Sequence, residues 1–260
     1  MTRGFSTLPV RTLVALAALA ACATGCANYT SAQRYQQGLV LVLPGIQGKG
    51  MLNRQVIRGL AKAGVPYALE SYDWTTGVAP LFIGHQIDIA RNRKQAELIS
   101  QRILGYAKEY PDRPVWLVGH SAGGGVAVWT LEDLPEGFEV EGAVLLAPSL
   151  SQDYNLAKAL SHARRGIYHY YSRRDVVFLG IGTSLVGNVD RGFEPTAGRT
   201  GFAPPTDLAS EEGQLYETRL QQIDCSSGIR CEGHIGLHVT ATSPSFVQRI
   251  VAPNIWTKGK

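Results

Sequence analysis

One short segment constrains the fold of this chain more than any other, because it joins an apolar strand, a glycine-flanked turn and a helix-like stretch. Residues 115–118 are apolar, the pattern Gly-x-Ser-x-Gly follows at Gly119, Ser121 and Gly123, and residues 125–131 carry an apolar helical face. The glycines are needed because a Cβ at either position would collide with the crossing backbone of so sharp a turn. The segment therefore predicts a strained strand–turn–helix corner that exposes Ser121 at the edge of a sheet.

Length and composition favour a single α/β domain. The chain has 260 residues, 45% of them hydrophobic and 18% charged, which suffices for one substantial core but would be cramped for two domains. Apolar runs of strand length alternate with helix-like segments, as in a mostly parallel, doubly wound sheet without a large separate lid domain. The formal net charge of +4 includes Arg3 and Arg11 of an N-terminal leader, so it does not indicate nucleic-acid binding.

The spacing of apolar residues predicts the order of the elements. Strands are expected at residues 39–43, 66–72, 115–118, 140–147 and 167–172. Helices are expected at residues 54–62, 95–110, 125–131, 155–162 and 243–251, the last with Pro244 in its first turn. Residues 75–90 and the Gly-, Pro- and Thr-rich residues 180–212 are predicted to be irregular loops.

The first residues have the layout of a bacterial export signal. Residues 1–21 contain two arginines and then an apolar run that is too short to span a bilayer, and they contain no acidic residue. The run ends in Leu-Ala-Ala-Cys22, which resembles the lipobox of a bacterial lipoprotein. The resemblance implies that a lipid on Cys22 holds the chain on a membrane of the cell envelope. Cys26 is a second candidate, and an ordinary secretory signal with incidental cysteines is the alternative.

Two further expectations concern the exported chain. Residues 22–37 are predicted to form the lipid anchor and a polar tether, and residues 38–260 the folded domain. Cys225 and Cys231 lie six residues apart around Ser-Ser-Gly, and export would place them in an oxidising compartment, so a disulfide is expected. His234 alone does not complete a metal site beside them, and no metal is expected.

The elbow-like Gly-x-Ser-x-Gly turn, a later carboxylate and a final histidine occur in an order that resembles the α/β-hydrolase superfamily. The resemblance extends over roughly residues 38–256. It implies that Ser121 is a nucleophile, because in this superfamily a histidine takes the serine proton and a carboxylate orients the histidine. It also implies that no organic cofactor takes part.

The resemblance places the carboxylate a few residues beyond the strand predicted at 167–172, often as Ser-x-x-Asp. Asp175, in the sequence Ser-Arg-Arg-Asp, fits this position. Asp153 is the competing acid, because some members carry the carboxylate after the preceding strand. Asp190 and Asp207 are more distant choices.

The histidine of the superfamily usually lies on a loop just before the last helix. His238, six residues ahead of Pro244, fits best, and His234 is the alternative because a Gly-His pair is also common there. His120, beside the nucleophile, is expected to be structural.

The resemblance further implies two backbone N–H groups that stabilise an oxyanion. Ala122 follows the nucleophile and supplies the first. The second is expected from residues 44–48, where Pro44 replaces the usual histidine of the superfamily. Ile46 is chosen as the donor, with Gln47 as the alternative.

Together these features predict a serine hydrolase that cleaves carboxylic esters, esterase-like or lipase-like, through an acyl-enzyme on Ser121. Residues 81–83 and 179–181 are apolar candidates for an acyl groove. Thioesterase and peptidase activities use the same relay and stay open. The rival from another class is a noncatalytic envelope lipoprotein that uses the fold for binding.

Overall fold

A computed structural model describes residues 28–77, 88–176, 188–190 and 195–257. Its centre is a six-stranded sheet with the order β2-β1-β3-β4-β5-β6, in which every neighbouring pair is parallel. The strands are β1 (Leu39–Leu43), β2 (Ala68–Ser71), β3 (Val115–His120), β4 (Gly142–Leu146), β5 (Ile167–Tyr171) and β6 (Leu220–Asp224). The predicted α/β architecture is confirmed, and the described residues form no separate lid domain.

Helices and turns connect the strands and complete the domain. The helices are α1 (Ala32–Tyr35), α2 (Met51–Lys62), α3 (Ile89–Glu109), α4 (Ala122–Glu132), α5 (Ala157–Ser161), α6 (Ala197–Thr200), α7 (Glu211–Arg219), α8 (Pro244–Phe246) and α9 (Ala252–Ile255). A 3₁₀ turn, His238–Thr242, precedes α8, and a π turn, Val247–Val251, joins α8 to α9. The predicted helix at 243–251 is therefore present but changes its winding after Phe246.

The sheet is buried on both faces, which explains the continuous apolar run in β1. Leu39, Leu41 and Leu43 face one layer, which contains α3 and α4. Val40 and Val42 face the other layer, which contains α2 and the C-terminal helical turns. A strand that is covered on both sides needs apolar residues at consecutive positions rather than at alternate ones.

Sequence patterns missed the last strand and the helix before it. The residues of β6 are Leu-Gln-Gln-Ile-Asp, and none of them is fully buried. Because β6 lies at the edge of the sheet, it pairs only with β5 and does not need an apolar run. The helix α7 has a weak apolar face, since only Gly213 and Tyr216 are buried.

The described part of the predicted tether, residues 28–37, contacts the domain through three of its residues. The carbonyl oxygen of Tyr29 accepts a hydrogen bond of 2.8 Å from the Leu69 N–H of β2. Arg34 donates to the carbonyl oxygens of Val65 and Tyr67 at 2.6 and 2.9 Å. The Tyr35 hydroxyl donates to Glu70 at 2.8 Å. Because these contacts are made by polar groups, the segment has no apolar pattern, and its sequence predicts a tether.

Several expectations lie outside the described residues. They are the leader at 1–21, Cys22, Cys26 and the groove segments at 81–83 and 179–181. Within the part of the chain that the structure describes, no helix combines the length and the apolar character needed to cross a membrane.

Candidate active site

Ser121 occupies a strained turn between β3 and α4. Its backbone has φ 56° and ψ −127°, a left-handed conformation that is unfavourable for a residue with a side chain. A Cβ on Gly119 would lie 2.4 Å from the carbonyl oxygen of Gly123, and a Cβ on Gly123 would lie 2.2 Å from that of Pro44. The turn can therefore close only with glycine at both positions.

Three hydrogen bonds from neighbouring segments hold this turn. The Ser121 N–H donates to the carbonyl oxygen of Leu146 at 3.0 Å. The Ser121 carbonyl accepts from the N–H groups of Gly124 and Ser149 at 2.9 and 3.1 Å. The backbone of the predicted nucleophile is thus fixed at the carboxyl end of the sheet, where ligands of open α/β sheets bind.

Asp175 and His238, predicted from separate segments, lie against each other. The His238 Nδ1 is 2.7 Å from the Asp175 Oδ2, and the two residues are 6% and 2% exposed. A carboxylate accepts the Nδ1 proton, so the neutral ring keeps its lone pair on Nε2, as a general base requires. The pair follows β5 and precedes the last helical turns, at the same end of the sheet as Ser121.

The other candidate acids are engaged elsewhere or exposed. Asp190 accepts from the Ser151 N–H at 3.3 Å, and Asp207 accepts from the Ala209 N–H at 3.0 Å. Asp153 is exposed in the turn after β4. Of the four candidate acids, Asp175 is the one that is hydrogen-bonded to His238.

Gly236 lets two segments approach each other. They are the acid turn, residues 172–175, and the histidine loop, residues 233–238. Gly236 has φ +88°, and a Cβ there would lie 2.8 Å from the Ser172 Oγ. The Ser172 hydroxyl also accepts from the Arg174 N–H at 3.2 Å, and the Ser172 carbonyl accepts from the Asp175 N–H at 3.1 Å. The spacing between Asp175 and His238 therefore depends on a backbone conformation that only glycine adopts without strain.

His234 supports this loop rather than contacting a carboxylate. Its Nδ1 lies 2.7 Å from the Thr240 Oγ1, whose own proton goes to the Leu237 carbonyl at 2.7 Å. The hydroxyl must then accept from the Nδ1–H of His234. Burial lowers the pKa of His234 to about 4, although the Asp175 charge acts in the opposite direction. His234 is thus neutral at physiological pH and fixes the turn that presents His238.

His120 lies directly beneath His238. The His120 Nε2 is 3.3 Å from the His238 carbonyl oxygen, so it must carry the proton, and the two rings are 4.7 Å apart between centroids. Burial, and then the charge of His238, lower the pKa of His120 to about 3. A neutral ring here supports the His238 backbone without placing a second positive charge beside the His238 ring.

The turn after β1 packs against Ser121. A Cβ on Gly45 would lie 3.2 Å from the Ser121 Cβ, and the Pro44 carbonyl accepts from the Trp74 Nε1 at 2.6 Å. The buried Trp74 thereby holds the segment that carries Ile46 and Gln47 beside the elbow. The Gln47 side chain folds back to Gly45, since a Cβ there would be 2.6 Å from its Oε1. No sequence motif indicated the contribution of Trp74.

A disulfide between Cys225 and Cys231 connects β6 to the histidine loop. The Cys225 N–H donates to the Tyr171 carbonyl, and the His234 N–H to the Cys231 carbonyl, both at 2.8 Å. The crosslink therefore ties the histidine loop to β5, the strand that precedes Asp175. Among the described residues, no three His, Cys, Asp or Glu side chains are grouped so that they could hold a metal ion.

Comparison with known proteins gives matches of two kinds. The family model Hydrolase_4, described as serine aminopeptidase, S33, matches residues 35–185, which include Ser121 and Asp175 but end before His238. The protein described as "Putative lipase ATG15" of Saccharomyces cerevisiae is 29% identical over 173 residues. That match covers 59% of this chain and 32% of the yeast protein, so the chain spans about a third of its relative.

Solved structures also match this chain, at low sequence identity. Est1E from Butyrivibrio proteoclasticus has a TM-score of 0.47 and 10% identity, covering 87% of this chain and 91% of Est1E. A protein described as a "predicted CIB-like hydrolase" from Thermoplasma acidophilum has a TM-score of 0.44 and 16% identity, covering 87% of this chain and 88% of that protein.

Proposed function

The chain belongs to the Hydrolase_4 family and is a serine hydrolase by fold and family, and from this premise we propose that it cleaves carboxylic esters through an acyl-enzyme on Ser121. The observation that carries the proposal is the hydrogen bond of 2.7 Å between Asp175 and His238, at the end of the sheet where the elbow presents Ser121. The yeast relative's description as a lipase supports an ester substrate.

In the proposed mechanism, Ser121 Oγ attacks the ester carbonyl carbon while His238 Nε2 takes the hydroxyl proton. Asp175 stabilises the imidazolium that results. The N–H groups of Ala122 and Ile46 are the proposed donors to the oxyanion, a contribution of about 3 kcal/mol per donor in comparable sites. Collapse breaks the bond to the alcohol, which leaves with the proton from His238. Water then attacks the acyl-enzyme while His238 takes a proton from it; the bond between the acyl carbon and Ser121 Oγ breaks, His238 returns the proton to Oγ, and the carboxylic acid is released.

A substrate panel tests the ester assignment. Matched p-nitrophenyl esters, thioesters and aminoacyl arylamides of graded acyl length should be hydrolysed by the wild-type protein with esters preferred, and Ser121→Ala should lose that activity. A preference for aminoacyl arylamides would favour a peptidase, as the family description suggests. Absence of all three activities in folded protein would favour the noncatalytic binding lipoprotein.

We also propose that the protein is a lipoprotein of the bacterial cell envelope, anchored through Cys22. The apolar run and the Leu-Ala-Ala-Cys sequence at its end support this proposal. Cys22→Ser should move the protein from the membrane fraction to the soluble fraction, whereas Cys26→Ser should not. An unmodified Cys22 at the mature amino terminus, detected by mass spectrometry, would contradict the anchor.

A further inference from the structure

The histidine loop and the first residues of the 3₁₀ turn alternate between buried and exposed positions in an unusual way. His234, Gly236 and His238 are buried. Between and after them, three aliphatic side chains point to solvent, and we call them the apolar row: Ile235 is 60%, Leu237 46% and Val239 41% exposed. Positions that face water usually carry polar residues, and contiguous exposed apolar side chains mark interaction sites.

Further exposed apolar residues flank the apolar row. Val176, 43% exposed, follows Asp175 in the turn that packs on Gly236. Met51, 62% exposed, lies one helical turn before Gln55, whose side chain accepts a hydrogen bond from Thr242 at 3.1 Å. Exposed apolar residues are therefore also present on the two segments that contact the histidine loop and the 3₁₀ turn after it.

The disulfide loop adds a third flank. Ile229 is 87% exposed, and a Cβ on the preceding Gly228 would lie 4.0 Å from the His234 carbonyl oxygen. Ile229 thus extends from the edge of the histidine loop into solvent.

An exposed arginine stands near each flanking apolar residue. Arg54 is three residues after Met51 on the same helical face, Arg174 is two residues before Val176, and Arg230 follows Ile229. None of the three forms an ion pair within the described ranges.

The nearby acids do not neutralise these arginines. Glu232 pairs with Arg249, and Asp224 with Arg173. The face around the candidate active site is thus apolar at its centre and positively charged at its margin. Anionic lipid headgroups above acyl chains have the complementary arrangement.

We propose that the apolar row and its three flanking arginines dock the active-site face on a bilayer that contains anionic lipids. The row inserts at the level of the acyl chains, while Arg54, Arg174 and Arg230 contact the headgroups. Docking needs no turnover, but its use for taking an ester directly from the bilayer rests on the proposed function. A lipid on Cys22 would keep the protein near such a surface, and the docked face would set its orientation.

Tryptophan fluorescence tests the orientation whether or not the leader also binds lipid. Ile235→Trp and the control Leu98→Trp, an exposed position on α3, are each placed in the full-length Ser121→Ala chain, so that turnover plays no part. Vesicles of phosphatidylglycerol and phosphatidylcholine with brominated acyl chains should quench the indole introduced at position 235 at least twofold more than the one at position 98. Equal quenching, or none at position 235, would overturn the proposal.

The charge contribution is tested with the same Ile235→Trp probe. Arg54→Gln and Arg230→Gln should each raise the lipid concentration for half-maximal quenching of this probe by roughly fivefold on phosphatidylglycerol-containing vesicles. Lys108→Gln, an exposed cation on α3, is the matched control and should leave that concentration unchanged. The same shift for all three variants would exclude specific contacts by these arginines.

A last comparison separates docking from binding of a single substrate molecule. In the active chain, Ile235→Ser should keep hydrolysis of a short water-soluble ester within about twofold of wild type. Hydrolysis of a long-chain ester embedded in the same vesicles should fall about tenfold. Equal losses of activity on both substrates would indicate that the apolar row lines the substrate pocket, and would overturn docking. If wild type hydrolyses neither substrate while the probe at position 235 is quenched, the proposed function fails and docking stands.

Discussion

The serine turn and the histidine loop are fixed by different means. At the turn, glycines at positions 119 and 123 allow backbone atoms to approach where a Cβ would lie within 2.4 Å of a carbonyl oxygen. The histidine loop is held by side-chain hydrogen bonds, a disulfide and a contact between Thr242 and Gln55, 187 residues apart in sequence. The glycine requirement at the serine turn is therefore visible in a short sequence motif, even though the atom that Gly123 approaches, the Pro44 carbonyl oxygen, belongs to a distant segment. The position of the proposed base depends on tertiary contacts that no sequence motif contains.

The largest expected effect is the loss of activity when His238 of the histidine loop is replaced, compared with replacement of His234 in the same loop. His238→Ala removes the proposed base and should lower kcat on a short ester by about 10⁴-fold. His234→Ala removes a support from the same loop and should cost about tenfold or less. Steady-state kinetics with circular dichroism of both variants checks this. Equal losses, or a larger loss for His234→Ala, would reverse the assignment of the base.

The next effect concerns the serine turn. Gly123→Ala places a Cβ against the Pro44 carbonyl and should lower the free energy of unfolding by about 4 kcal/mol or more, with loss of activity. Gly105→Ala in α3 is the matched control, because no atom lies within 4 Å of the added Cβ. It should stabilise the helix by about 0.5–1 kcal/mol. Urea unfolding of both variants measures the difference, and a tolerated Gly123→Ala would refute the steric account.

The smallest effect is a dependence of stability on pH that both regions share. Burial lowers the pKa of His120 to about 3 and that of His234 to about 4, from 6.5 in a free histidine. As the pH falls below 6.5, the unfolded chain binds protons that the folded chain does not, so stability is lost on acidification.

Each of these two histidines should lower the free energy of unfolding by about 1.5 kcal/mol between pH 6.5 and 5. Buried His169, whose pKa burial likewise lowers to about 4, should add a similar amount. Urea titrations at both pH values test this, and His234→Gln should remove about a third of the contribution of the three histidines. A free energy of unfolding that does not change across this range would show that the three rings are not held neutral.

The sequence predicted what depends on local pattern. The five residues of β1 and the turn at Ser121 follow from apolar runs and glycine sterics, and the structure has both. The edge strand β6 was not predicted because its residues, Leu-Gln-Gln-Ile-Asp, contain no apolar run. The contacts of residues 28–37 with the domain were not predicted, because they are made by Arg34 and Tyr35 rather than by aliphatic residues.

The choice between His234 and His238 is a prediction of a different kind. The two residues lie four positions apart in one loop and both are buried, so the sequence favours His238 only by its position ahead of Pro244. The difference arises from their partners, Thr240 for one and Asp175 for the other, and from Gly236, which lets the acid turn approach. The contact between Asp175 and His238 joins segments more than sixty residues apart, and side-chain spacing in one loop does not encode it.

Covalent trapping tests the central claim most directly. A fluorophosphonate probe, followed by peptide mass spectrometry, should place one phosphonyl adduct on Ser121 of the wild-type protein, and His238→Ala should slow labelling by at least a hundredfold because the serine proton has no acceptor. A folded protein that stays unlabelled, or that is labelled on a different serine, would contradict the assignment of Ser121 as the nucleophile of a serine hydrolase.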